Sequence, residues 1–469
     1  MSELHHLTAL EQLDRMRRGE FSPRELTEHY LERVERLNPL LGAFTTVTAD
    51  AARKRAALVE SALPSSSALW GLPSGDKDLW HRAGVRTTFG SRLMGDLVPD
   101  YSDEIVTVLD GAGGVSLGKT NAPEFGMPSY TESLVAPPAR LPWDTELGVG
   151  GSSGGAAVAV SAGLLPIAPG SDGGGSIRIP AAASGLVGLK PSRGRVAAMS
   201  GYLTLGGLVT AGSIARTVGD AALLLDAMIG PRQWAVGPPT WDGGAYLNAA
   251  VRGEGRFQIG VMTTSPWDET YQVDVATEAH AALDRAIREL DSIGHGIEQT
   301  ALEPDATYGP AFRTIWQAGA ASIPAEGDQL ELLEPLTRWL VTQGRALGAR
   351  DLGAALTTLA RYERSIIRQF SPFDAVMTPA LALTPRAVGW YDAVDPERNF
   401  QQQVQYTPWT SFVNVSGLPA ITLPVTQTAD GLPMGVQLIA RPGREDVLLS
   451  IGAQLERRLR WQDRHPACW

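Results

Sequence analysis

Between about Ala68 and Asp220 short apolar runs alternate with glycine-rich turns and helical patterns, and this alternation constrains the fold more than any other feature. Val106–Gly111 reads as the end of a helix, Gly114–Gly118 as a short buried strand, Ala156–Ala162 as a helix of small residues and Leu164–Ala168 as another strand. Helix and strand in such succession bury their apolar faces against one another only as an α/β sheet, so the fold class expected is α/β.

Flanking elements extend the pattern. Leu7–Arg18 has apolar residues at helical spacing and Gly19 ends it; Ser22-Pro23-Arg24-Glu25 is a capping box with proline at the first helical position, opening a second helix to about Leu37. Gln258–Met262 reads as a strand before a strongly periodic helix, Val275–Ile293, with Asp274 as its N-cap. Residues 231–247, rich in Gly, Pro and Trp, read as a surface excursion. Phe373–Met377 and Ala420–Leu423 read as buried strands, and Glu445–Leu459 as a closing helix. With no repeat or linker in sight, one domain over residues 1–469 is expected: a helical pair at 7–37, a core at about 68–220 and a remainder at 221–469. The net charge of −11 is spread without long like-charge runs, which argues against nucleic acid or an anionic membrane as partner. The single cysteine, Cys468, permits no internal disulfide, and the N-terminus lacks a basic segment followed by an apolar core, so a cytoplasmic enzyme is expected.

Three stretches carry candidate chemistry. GGSSGG, residues 150–155, fits a phosphate-cradling loop, the letters of a G-x-S-x-G nucleophile elbow, or a serine that serves catalysis without attacking. GSDGGGSIRIPAA, residues 170–182, places three glycines before Ser176, so that successive backbone N–H groups can point at one spot and bind an oxyanion. In GLPSGDKDLW, Lys77 lies at the end of a small-residue segment between Asp76 and Asp78; Lys119 and Lys190 look structural. No histidine stands out as the base for a serine, and apart from the adjacent His5 and His6 near the terminus no histidine pairs with another or with a carboxylate at metal-ligand spacing, so neither metal nor cofactor is expected. GGVSLGKT, residues 113–120, matches the letters of a P-loop, but the strand falls in the middle of the match and Pro123 follows, against the strand-loop-helix order that phosphate binding needs.

Together, Lys77, GGSSGG and DGGGSIRIP resemble the amidase signature family of serine hydrolases. The resemblance covers most of the chain, in order: WGLPSGDKDL, LGKTNAPEFG, TES (131–133), PWD (142–144), GVGGSSGGAAVAVSAG, GSDGGGSIRIPAAASGLVGLKPSRGRV, FVNVSGLPAITLPV and GLPMGVQLIARPG. It implies one α/β/α domain built on a large mixed, twisted sheet between helices. It implies Ser176 as nucleophile, Lys77 as base, and Ser152, preceded by a cis peptide bond, as the relay between them. Backbone N–H groups of Gly173, Gly174, Gly175 and Ser176 would form the oxyanion hole. Ser153 would support Lys77, and Asp172 and Arg178 would brace the loop. The chemistry is consistent: a serine hydroxyl attacks only when a base takes its proton, and a lysine does so only when burial lowers its pKa far below the ordinary value.

Departures from the family pattern bear on this. Asp76 replaces an aliphatic residue and leaves Lys77 dry only if an extended backbone turns it away. Ala181-Ala182-Ala183-Ser184-Gly185 replaces a stretch with an aromatic and a cysteine, which implies altered packing behind Ser176, and APPARLPWD (136–144) alters a loop expected near the pocket. The reading is a C–N hydrolase, monomer or homodimer, acting on small aryl or alkyl amides or carbamates. An apolar pocket is expected, with Met127, Trp143, Trp316, Trp390 and Trp409 as candidate walls. The alternative is the glutaminase subunit of a tRNA-dependent amidotransferase, but an acidic residue expected seven positions before Asn414 is Thr407 here.

Overall fold

Two capping boxes open the chain. Thr8 and Glu11 exchange side-chain and backbone hydrogen bonds of 3.1 and 2.8 Å at the head of helix Ala9–Arg17, and Ser22 and Glu25 do the same at 3.2 and 2.7 Å before helix Pro23–Leu41. The second helix runs past the expected Leu37, carries Pro39 within it and stops at Gly42, whose φ of +62° suits a residue without a side chain. The computed structural model describes residues 3–199, 204–230 and 244–469. Most of the excursion read at 231–247 therefore lies outside the described residues.

Thirteen strands follow among the described residues: β1 (Phe44–Val47), β2 (Pro73–Lys77), β3 (Val115–Thr120), β4 (Arg140–Leu141), β5 (Asp144–Gly148), β6 (Ile167–Asp172), β7 (Val187–Lys190), β8 (Thr210–Ala215), β9 (Gln258–Val261), β10 (Gly296–Gln299), β11 (Ala375–Pro379), β12 (Ala420–Gln427) and β13 (Pro433–Ala440). Eight of them form one sheet in the order β10-β9-β11-β13-β12-β7-β8-β6. Its β10-β9-β11 edge is parallel and the rest antiparallel, so the sheet is mixed, and helices flank it. A three-stranded sheet, β1-β3-β2, sets β2 against β6, and β4 and β5 form a hairpin. The fold class is the α/β architecture expected.

Several boundaries differ from the sequence reading for local reasons. Leu164 and Leu165 donate their N–H groups back to Ala159 O at 2.7 and 3.0 Å, closing helix Gly154–Ser161, so the strand read at Leu164–Ala168 begins only at Ile167 and continues to Asp172. The strand read at Gly114–Gly118 runs to Thr120, which places the P-loop letters in an extended segment with Lys119 buried and donating to Trp80 O. The helix read at Val275–Ile293 spans Thr277–Ser292 with Ala276 at its N-cap; Asp274 instead accepts from Gln272 Nε2 at 3.0 Å. Phe373–Met377 shifts to β11, Ala420–Leu423 extends to Gln427, and the closing helix spans Glu445–Leu459 as read. Among the described residues no helix is long and apolar enough to cross a membrane.

The chain ends meet in a histidine cluster. The His5 ring is buried, with Nδ1 3.1 Å from His29 Nε2 and Trp469 packed against it. Burial, then the charge of Arg33, lowers its pKa to about 3. The unfolded chain takes up this proton near the ordinary 6.5, so the stability due to a neutral ring is whole above 6.5 and declines as pH falls towards the folded value. Relative to a His5→Gln variant, the wild type should lose about 1–2 kcal/mol of unfolding free energy between pH 7 and pH 5, read from urea denaturation. A difference independent of pH contradicts the buried neutral ring.

Candidate active site

Alternation along β2 separates the two charges that the sequence sets side by side. Asp76 turns away from Lys77, accepting from Arg82 at 2.5 and 3.1 Å and from Ser116 Oγ at 3.0 Å. Arg82 also grips Asp110, so the Asp76 charge is answered on its own side. Asp78 turns to Thr88 Oγ1 (2.5 Å) and Thr45 Oγ1 (3.0 Å). Lys77, with 0 % exposure, points the other way, towards β6.

There its Nζ lies 2.8 Å from Ser152 Oγ, 2.9 Å from Ser153 Oγ and 3.0 Å from Ser171 Oγ. Among the described residues no carboxylate pairs with it. Burial lowers its pKa to about 7, with the charge of Asp172 pulling the other way. Near neutral pH the amine is therefore available as a proton acceptor, and the hydroxyl at 2.8 Å can pass it a proton. The Gly151–Ser152 peptide is cis. Ser153 stands at the N-cap position of helix Gly154–Ser161, and its N–H donates to Ser176 O at 3.0 Å, tying the GGSSGG turn to the loop that carries Ser176.

The β6–Ser176 turn is built around a buried ion pair. Arg178 Nε and Nη2 each donate to Asp172 at 2.9 Å, and both side chains are fully buried. Burial alone would raise the Asp172 pKa, but the Arg178 guanidinium overrides it and holds the carboxyl well below the usual range. The remaining valences are filled: Arg178 donates to Gln437 Oε1 and Asn414 Oδ1 at 2.6 Å each, and Asn414 Nδ2 donates to Asp172 Oδ1 at 2.9 Å. The Gly175 N–H donates to Asp172 Oδ1 at 2.8 Å. It is therefore not available to an oxyanion, a correction to the four-donor hole; among the described residues the N–H groups of Gly173, Gly174 and Ser176 have no such partner. Gly175 is needed for shape, because at φ +130° a Cβ would fall 2.5 Å from Thr410 Oγ1, which itself donates to Gly174 O at 2.6 Å.

Ser152, Ser171, Gly173 and Ser176 open onto a cavity of about 740 Å³ whose other described walls include Trp80, Phe125, Met127, Leu208, Ile315 and Trp316. A second, much smaller hollow of about 60 Å³ meets it at Ser176, Met127 and Trp316, and is walled by Trp267, Phe312, Phe400, Gln403, Thr407 and Thr410 among others. No charged side chain lines either space among the described residues. Of the five pocket candidates, Met127 and Trp316 are walls. Trp143 donates to Ser184 O at 2.9 Å, Trp390 stacks edge-on against Tyr391, and Trp409 is fully buried with its Nε1 on Thr263 and Thr264 carbonyls; none of the three lines the cavity. The 136–144 loop likewise contributes no wall, since β4 and β5 fold it onto itself. The triple-alanine stretch lies in helix Arg178–Ala183, buried behind Ser176.

Sequence reasoning does not single out Ser171, Thr410 or Gln437. Ser171 and Gln437 lie inside quoted motifs, and Ser171 precedes Asp172 on a strand that turns the two side chains to opposite faces. Among the described residues, Glu3, His5 and His6 bring possible metal-ligating atoms within 4.8 Å of one another, but the Arg33 guanidinium lies 3.8 Å from Glu3 and opposes a cation, and none of the three lines the cavity.

Comparison with known proteins shows the family. The amidase family profile matches residues 25–449. A putative amidase, AmiB2, of Mycobacterium bovis is 37 % identical over 451 residues, covering 94 % of each chain. A glutamyl-tRNA(Gln) amidotransferase component of Acinetobacter baumannii is 31 % identical over 499 residues, covering 100 % of this chain and 99 % of that one. The structure of 6-aminohexanoate cyclic dimer hydrolase complexed with substrate superposes with a TM-score of 0.90 at 30 % identity, covering 99 % of each chain. The chain belongs to the amidase family. It is an amidase-signature enzyme, a hydrolase of C–N bonds.

Removing Arg178 leaves Asp172 charged and buried alone. Arg178→Met should cost about 3–5 kcal/mol of stability, and Arg178→Lys a large part of it because one ammonium cannot replace the fork. Equal urea midpoints for wild type and Arg178→Met would show that the pair does not hold the turn.

Proposed function

We propose that the protein hydrolyses small uncharged amides, aryl or alkyl amides and carbamates among them, through an acyl-enzyme on Ser176. The observation that carries this is the buried Lys77 amine 2.8 Å from Ser152 Oγ, with Ser152 and Ser176 both lining a cavity that has no charged side chain among the described residues. Ser152 passes the Ser176 proton to neutral Lys77 as Ser176 Oγ attacks the carbonyl carbon. The N–H groups of Gly173, Gly174 and Ser176 take the developing oxyanion. The proton returns through Ser152 to the leaving nitrogen, the C–N bond breaks, and water attacks the acyl-enzyme by the same relay. Ser153 and Ser171 hold the Lys77 amine in place. A carbamate offers the same carbonyl and nitrogen leaving group.

A second reading is the glutaminase role suggested by the name of the amidotransferase relative. Glutamine brings an ammonium and a carboxylate that need charged partners, and neither space lined by Ser176 has any among the described residues. Thr407, at the position where an acidic residue is expected, lines the smaller one. The uncharged walls favour the stand-alone hydrolase.

In a panel of anilides, primary amides, carbamates and glutamine, hydrolysis of the neutral amides should exceed that of glutamine; a strict glutamine preference reverses the order of the two readings. Ser176→Ala and Lys77→Ala should each lower kcat by roughly 10³-fold or more, and Ser153→Ala by much less. A fluorophosphonate should label Ser176, and recovery of the label on Ser152 by peptide mass spectrometry would overturn the role assignment. The rate should fall as pH drops through about 7 and Lys77 takes a proton; a flat profile from about pH 9 to 5 excludes a neutral-lysine base.

A further inference from the structure

The two spaces that meet at Ser176 differ in size and lining, and Trp316 stands between them. It lies on helix Tyr308–Ala320, which presents Phe312 to the small space and Ile315 to the large one. Its ring stacks on Phe312 at 5.6 Å between centroids and reaches the glycine turn: a Cβ on Gly173 or Gly174 would lie 3.6 or 3.9 Å from Trp316 Cη2. The small space, about 60 Å³, has room for a group of only a few heavy atoms, with hydroxyls of Thr407, Thr410 and Ser411 beside it. The large one is mostly apolar and more than accommodates a bicyclic ring.

Which half of the substrate enters which space follows from the proton. Ser152 opens onto the large space and not the small one. In the mechanism proposed above, on which this step rests, collapse of the tetrahedral intermediate breaks the C–N bond only as the nitrogen takes a proton from Ser152. The nitrogen must then sit on the Ser152 side, with the amine in the large space and the acyl group in the small one. We infer that the enzyme prefers amides and carbamates with a short acyl group, such as acetyl or methoxycarbonyl, on a bulky aromatic amine, and that Trp316 sets the limit on acyl size.

The test is a substrate series with the wild-type enzyme, followed by two variants. With aniline as the fixed amine, enlarging the acyl group from acetyl to benzoyl should lower kcat/KM at least about tenfold, whereas enlarging the amine of an acetamide from aniline to 2-naphthylamine should change it by less than about threefold. Trp316→Ala should merge the spaces and raise the benzoyl-to-acetyl ratio at least about fivefold, and Phe400→Ala, which opens another wall of the small space, should move it the same way. Benzanilide cleaved as fast as acetanilide, or the naphthylamide rejected in its place, overturns the inference while Ser176-dependent hydrolysis keeps the catalytic reading. A ratio unmoved by both variants overturns the role of Trp316. No hydrolysis of any amide overturns the catalytic reading and this inference with it.

Discussion

A lysine amine buried without an ion partner is stable only if it sheds its charge, because moving an isolated ammonium out of water costs several kcal/mol. Lys77 is in that position: 0 % exposed, surrounded by three serine hydroxyls, with no carboxylate paired to it among the described residues. Everything around it keeps it so. The pleat of β2 turns Asp76 outward to Arg82, and Asp78 is engaged by threonines. The negative group with the greatest influence on it, Asp172, is itself neutralised by Arg178. Had either neighbouring aspartate faced inward, Coulomb attraction would hold Lys77 as an ammonium and remove its capacity to accept a proton.

The same ion pair organises the turn that carries Ser176. Asp172 accepts from Arg178, from Asn414 and from the Gly175 N–H, so a single carboxylate fixes the strand end, a neighbouring helix and the glycine turn at once. Bidentate geometry and filled valences are what make such a buried pair tolerable. The Gly175 N–H serves shape, and among the described residues the N–H groups of Gly173, Gly174 and Ser176 have no such partner. In the mechanism proposed above, rigidity here matters because donors aimed in advance stabilise developing charge without reorganising.

Much of the fold is legible from local rules. Capping boxes at Thr8 and Ser22, the amphipathic period of the closing helix and the glycine-bounded strands are set by interactions within a few residues, and these elements form close to where the local signals place them. Boundaries differ where hydrogen bonding overrides the apolar pattern, as when Leu164 and Leu165 close a helix in place of starting β6. The pocket is less legible. Trp143, Trp390 and Trp409 are as aromatic as Trp316, yet they pack elsewhere, because a tryptophan's role depends on which cavity its element faces.

The sequence by itself determined the α/β class, the family and the candidate residues for the chemistry, since motif order and residue type are properties of the chain. Tertiary structure decided that Asp76 faces away from Lys77, that Ser171 joins Ser152 and Ser153 around its amine, that Gly175 spends its N–H on Asp172, and that Trp316 is a wall of both spaces that meet at Ser176. The reason is physical: strand pleat, burial and the pairing of groups hundreds of positions apart, such as Arg178 with Gln437, exist only once the sheet has formed.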